Sequence, residues 1–196
     1  MTNVDLEPAT RQMANLIRAV PDDRLGGPTP CPEYTLGDLV DHVGGLTLAF
    51  TAAARKDTGE IGSQRASGDA ARLEDDWRAR IADDLQTLAE AWRDPVAWTG
   101  TTRAGGVDLP GEVAGLVALD ELVVHGWDVA KASGLPYEFD QQSLEAVHDF
   151  VAQFSGPGME AQREGMFGPV VEVAQDAPLV DRVMGMAGRH PSWSPA

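Results

Sequence analysis

Glu121 and His125 stand four residues apart in the stretch Asp120-Glu121-Leu122-Val123-Val124-His125-Gly126-Trp127-Asp128. On a helix that spacing brings both side chains off one face, about one turn apart. Their neighbours are Leu, Val and Trp, where an ionisable group is costly unless it is hydrogen-bonded, paired or bound to a metal. Acid–base pairs at this spacing are common on helices, so the pair alone fits either a hydrogen-bonded core histidine or half of a metal site. His42 is a second histidine in apolar company, between Val40 and Val43 on the face that carries Leu39 and Leu46. If the two segments pack side by side, His42, Glu121 and His125 make a two-histidine, one-carboxylate set. Such a set suits zinc, nickel or ferrous iron with positions left open for water or substrate.

The remaining reactive side chains carry weaker signals. Asp38 lies one turn before His42, where it can orient the imidazole or cap the helix. Asp128 can back His125 or interact with Lys131 three residues on. His148, beside Asp149, and His190, in a Gly-Arg-His-Pro tail, read as structural or solvated. Cys31 stands between two prolines without a basic neighbour in sequence to lower its pKa, so it reads as a small buried hydrophobe. Arg103, in a loop rich in Gly and Thr, reads as an exposed arginine, with an anionic substrate as the alternative. The glycines at 104–111 lack the strand–turn–helix context of a phosphate loop, and no GxSxG, HExxH or Walker pattern occurs.

Helices must position these groups, because apolar residues recur at helical spacing almost throughout. The first helix carries Leu6, Met13, Leu16, Ile17 and Val20 and stops at Pro21-Asp22-Asp23; the second covers about 35–54, opened by Thr35-Leu36-Gly37-Asp38, which resembles a capping box. Residues 55–70 are polar and glycine-bearing and read as a solvated, mobile loop. A third helix is expected near 70–93 and a loop or small hairpin over 94–111. The fourth, about 112–134, is apolar on nearly every side, as a helix central to a bundle must be, and ends at Gly134-Leu135-Pro136. A fifth near 140–154, an extended Val170–Val173 and a short helix at about 178–188 complete the chain. The whole reads as one all-α domain over 1–196, an antiparallel helical bundle with a short appended tail.

Composition narrows the function classes. Acids outnumber bases 31 to 15, a formal charge of −16, so a nucleic-acid partner is excluded by the phosphates such a chain would repel. An anionic membrane surface repels it likewise, and no run reaches the roughly 18 apolar residues of a membrane span. A single cysteine rules out an intramolecular disulfide and a multi-thiolate metal cluster. The opening residues carry early acids and neither a basic nor an apolar signal region, so the expected location is the cytoplasm.

Three stretches together resemble a known family. Thr29-Pro30-Cys31-Pro32-Glu33-Tyr34-Thr35-Leu36-Gly37-Asp38-Leu39-Val40-Asp41-His42-Val43-Gly44 is similar to the opening motif of the actinobacterial mycothiol-dependent maleylpyruvate isomerase-like proteins, within the DinB-like superfamily. Glu121 through Ala130 resembles the second motif of that group, and Phe167-Gly168-Pro169 through Gly188-Arg189-His190-Pro191 the ending of its short, single-domain branch. The resemblance implies a DinB-like antiparallel four-helix bundle with an extra helix and a short C-terminal tail. It also implies a divalent metal held by a histidine of the second helix and a carboxylate and histidine of the later one, roles that fall on His42, Glu121 and His125. Tyr34 stands where the family usually has Trp, and the second, sterol-carrier-like domain of the full-length isomerases is expected to have no counterpart.

The expected function is that of a metal-dependent thiol S-transferase of the mycothiol kind, with zinc as the first choice of metal and nickel or iron as alternatives. A metal with three protein ligands keeps a position open for a small thiol and stabilises the thiolate, which attacks an electrophilic small molecule. No side chain of the protein is then needed as nucleophile. The partners are the thiol, mycothiol by family resemblance, and the electrophile; the sequence leaves room for a homodimer. The alternative is a bundle that binds a metal or ligand without turnover.

Overall fold

The structure is a computed structural model that describes residues 3–57, 59 and 66–195. Helix α1 (Glu7–Ala19) buries Ala9, Met13, Leu16 and Ile17 along one stripe. Helix α2 (Leu36–Ala54) starts at the expected capping box, in which the Thr35 hydroxyl accepts from the Asp38 amide while Asp38 reaches back to the Thr35 amide. Helix α3 (Trp77–Trp92) and helix α4 (Gly111–Ser133) complete a four-helix bundle. Between them a hairpin pairs β1 (Thr101–Ala104) with β2 (Val107–Pro110), as the loop reading allowed. Helix α4 is buried over most of its circumference and ends at Gly134, whose φ of 71° is the left-handed value that only glycine adopts without strain.

The chain direction decides where the site lies. Arg78 at the start of α3 donates to the Val20 carbonyl at 2.6 Å, just past the end of α1. At the other end Trp92 Nε1 donates to Phe50 O at 3.1 Å, and Lys56 Nζ to Ala97 O at 2.7 Å. Helices α2 and α3 therefore run in the same direction and α1 and α4 in the opposite one. The α1–α3 and α2–α4 pairs are antiparallel, and the parallel α2–α3 pair needs a long crossover back along the bundle.

That crossover is in part the solvated loop expected over 55–70, with Arg55, Asp57, Ser67 and Asp69 exposed. Residues 58 and 60–65 of it lie outside the described residues. The returning part is pinned to α2: Asp41 accepts from the Asp69 amide at 3.0 Å and Asp38 from the Ala70 amide at 2.8 Å. The expected start of the third helix moves for the same reason, since 70–72 form a single 3-10 turn capped by Asp69 and α3 proper begins at Trp77.

Outside the bundle, α5 (Gln141–Ala152) packs on α4, a single-turn α6 (Glu160–Arg163) follows unforeseen, and α7 (Leu179–Met186) packs on α5. Residues 170–173 form no strand; only Val171 N bonds to Gly185 O, at 2.9 Å. Among the described residues no helix is long and apolar enough to cross a membrane.

Candidate metal centre

The antiparallel packing of α2 and α4 brings His42, Glu121 and His125 together, with one donor atom from each lying within 4.8 Å of the others. The two imidazoles meet edge to face at a centroid distance of 5.2 Å. Each ring is held from behind. His42 Nδ1 lies 3.1 Å from the Ala66 carbonyl, which can only accept, so Nδ1 carries the proton and Nε2 keeps a free lone pair. His125 Nδ1 lies 2.9 Å from Asp128 Oδ2, and its Nε2 lies 3.0 Å from Glu121 Oε2. Asp128 is fully buried and pairs in turn with Arg189, whose Nη2 donates to Oδ2 at 2.9 Å.

These contacts pull the two histidines apart electrostatically. Burial, reinforced by the positive charge of His125, lowers His42 from 6.5 to about 4, so it is neutral at pH 7. Burial would lower His125 too, but its hydrogen bonds to Asp128 and Glu121 prevail and raise it to about 9. Despite desolvation, Glu121 is held below its ordinary value by His125, and Asp128 by Arg189 and His125. Without metal the cluster is thus an imidazolium clamped between two carboxylates beside a neutral imidazole. Loss of the Nε2 proton of His125 exposes two imidazole nitrogens and one carboxylate to a common point. That donor set fits a divalent cation of the zinc, nickel or iron kind.

The other sequence candidates are placed elsewhere or resolved. Asp38 does not orient His42: its carboxylate is taken by Thr35 and the Ala70 amide, and Ala66 O serves the imidazole. Asp128 backs His125, while Lys131 lies over the Trp127 ring at 5.2 Å. Cys31 is half-buried, and burial outweighs the nearby Arg189 to push its thiol up, the opposite of an activated nucleophile. Arg103 pairs with Asp108 across the hairpin at 2.8 Å, beside the far end of α2, where Thr102 bonds to Ala53 O. His148 bonds to Asp149, and His190 to Ser192.

Besides Arg163 in the C-terminal segment, two buried charged groups beside the cluster escaped the sequence reading. Arg189 was visible only as part of the resembled ending, since its partner Asp128 lies 61 residues away. Asp120 is buried with Oδ1 lacking a hydrogen-bond partner among the described residues, and desolvation pushes its carboxyl well above the ordinary range. Its position inside an apolar helix beside Glu121 was the available signal. Glu121, whose side chain keeps 29% exposure, also borders a small cavity of about 10 Å³ lined by Met13, Val43, Leu46, Phe50 and Leu122.

Comparison with known proteins adds the following. Residues 6–130 match the family described as the mycothiol maleylpyruvate isomerase N-terminal domain. Two uncharacterized proteins of Mycobacterium tuberculosis, MT0763 of strain CDC 1551 and Rv0738 of strain H37Rv, are each 27% identical over 189 residues, covering 90% of this chain and 91% of theirs. The crystal structure of the mycothiol-dependent maleylpyruvate isomerase superposes with a TM-score of 0.65 at 16% identity, over 97% of this chain and 88% of that one. A histidine-to-alanine mutant of that isomerase gives 0.64 at 16% identity, over 93% and 86%. At this identity the structures establish a shared fold.

Proposed function

Because the chain belongs to the mycothiol maleylpyruvate isomerase N-terminal domain family, we propose that it is a metal-dependent thiol S-transferase. In this reading the protein joins a mycothiol-type thiol to an electrophilic small molecule. The observation that carries it is the convergence of His42, Glu121 and His125 from two helices, each imidazole fixed through its other nitrogen. A divalent cation, zinc by first preference, stabilises the thiolate form of a thiol in such a three-donor site. In the reaction the thiol gives up its proton, a sulfur–carbon bond forms, and the electrophile either loses a leaving group or takes up a proton.

The chain's own residues supply binding and charge balance. With a dication in place of the His125 proton, one guanidinium against the carboxylates of Glu121 and Asp128 leaves a single net positive charge, which one thiolate neutralises. The cavity beside Glu121 is lined mainly by apolar side chains, with no Lys or Arg among them.

Elemental analysis of protein purified without added metal, followed by assays with mycothiol and a chromogenic aryl halide, tests the proposal. About one divalent ion per chain and thiol-dependent turnover are expected, and His42→Ala should cut metal retention at least about tenfold and turnover with it. Unchanged metal content in that variant would falsify the ligand set. Tight metal binding with no turnover on any thiol would leave the non-catalytic bundle instead.

A further inference from the structure

Two buried arginines tie the C-terminal segment to the body of the protein, and they do so differently. Arg163 donates to the backbone carbonyls of Phe154, Gly168 and Met186 and to the Ser155 hydroxyl, with no carboxylate among its hydrogen-bond partners in the described residues. Arg189 gives one bond to a carbonyl, that of Ala187 at 2.9 Å, and aims Nε and Nη2 at Asp128, at 3.3 Å and 2.9 Å. Its side chain is 9% exposed and that of Asp128 is 0% exposed. The same oxygen, Asp128 Oδ2, accepts from Arg189 Nη2 and from His125 Nδ1, each at 2.9 Å.

Anchoring the segment needs no such carboxylate, as Arg163 shows. A guanidinium fixes a carboxylate in plane and direction far better than a lone donor does. The carboxylate in turn fixes the imidazole plane and keeps the proton on Nδ1, so that Nε2 faces Glu121 and His42. We propose that Arg189 is a positioning residue of the metal centre, acting through Asp128 on His125. The site then depends on a residue well beyond the matched stretch 6–130. The inference rests on His125 being a metal ligand.

Cobalt(II) as the probe metal tests it in the full-length protein. The visible absorption reports the geometry at the ion, and transfer to a chromogenic chelator reports its retention. Arg189→Met and Asp128→Asn should each shift the cobalt bands and weaken retention by about 10–100-fold, the usual effect of losing a group that orients a ligand. Arg189→Lys should recover part of both. Arg163→Met, the control, should lower the melting temperature and leave the cobalt spectrum as in the parent. An Arg189→Met protein with the parent's bands and release rate, changed only in melting temperature, overturns the inference. If Arg189→Met does not fold, Asp128→Asn decides: parental bands and release rate there overturn the inference equally. A parent that takes up no cobalt overturns the metal reading itself, a result distinct from a parent that binds while its Arg189 variant matches it.

Discussion

At the end of the bundle where α2 and α3 finish, Trp92 and Trp98 meet edge to face with centroids 5.0 Å apart, and both indole N–H groups donate to carbonyls. Gly115 is there because a Cβ would lie 2.5 Å from the Trp98 ring. At the end where those helices begin, His42, Glu121, His125, Asp128 and Arg189 crowd together. Ten residues of α4 separate Gly115 from His125, about 15 Å along the axis. The first end is closed mainly by dispersion and indole hydrogen bonds, with the Lys56 bond to Ala97 O and the exposed Arg103–Asp108 pair as charged contacts at its edge. The second holds charges that are stable only as a set, and three segments outside the bundle's helices, carrying Tyr34, Ala66 and Arg189, pack against it. Stability and chemistry are thus largely divided between the two ends.

The largest effect should come from the aromatic end. Trp92→Ala removes a side chain that is 2% exposed together with its bond to Phe50 O, at a cost of about 3–5 kcal/mol. Denaturant melts should show that loss, while metal titration of the folded variant gives the parent's affinity. A matching loss of metal affinity would mean that the ends are not separable.

Metal supplies the next effect. An ion at a hundredfold excess over its dissociation constant should stabilise the parent by about 2.7 kcal/mol, and chelator should remove that gain. Glu121→Gln keeps the shape but loses a charged donor, so its melting temperature should respond far less to metal. Thermal melts of both proteins with and without chelator measure the difference. A parent indifferent to chelator breaks the assignment of the charged end.

Both ends were legible to different depths, for physical reasons. Helix faces announce themselves by periodicity, so the apolar stripes, the capping box at Thr35 and the Glu121–His125 pair could be read directly. The meeting of His42 with that pair needed the packing of α2 on α4, which the family resemblance implied and spacing alone left open. The crossover's polar residues are largely exposed as read, but its pinning to α2 through the Asp69 and Ala70 amides on Asp41 and Asp38 left no pattern in the sequence. Arg189 sits in an aperiodic segment and acts across 61 residues, where no local pattern can reveal a partner.

The charged end should also respond to pH in the metal-free protein, by an amount comparable to the metal effect. His125 is raised to about 9 through Asp128 and Glu121 in spite of burial, so its contribution is fully present below the unfolded value near 6.5. That contribution is lost as pH rises toward 9, on the order of 3 kcal/mol. His42, lowered to about 4 by burial, has the opposite sign: its contribution is present above about 6.5 and is lost as pH falls toward 4. Metal-free stability attributable to the pair should therefore peak near pH 6.5, and melts in chelator at pH 5, 6.5 and 9 locate the peak. Metal binding at neutral pH should release about one proton, from His125. Calorimetry in buffers of differing ionisation heat measures that proton, and its absence would remove the imidazolium from the metal-free state.

The smallest effect should be at Arg103, and it bears on function as much as on stability. As a loop arginine near the apolar helix it could have met an anionic substrate. In the structure its guanidinium makes bonds of 2.8 and 3.1 Å to Asp108 across the β1–β2 hairpin. The hairpin is fastened to Ala53 at the end of α2, three residues past Phe50 on the cavity's wall and eleven past His42. An ion pair this exposed adds little to stability and is weakened by salt. Arg103→Ala should therefore leave metal content and thiol turnover unchanged and lower the melting temperature by no more than a degree or two, on the order of what such a pair supplies. If turnover instead fell with rising KM for an anionic electrophile, the hairpin would be part of the substrate site and the division between the two ends would fail at the point where it is most easily checked.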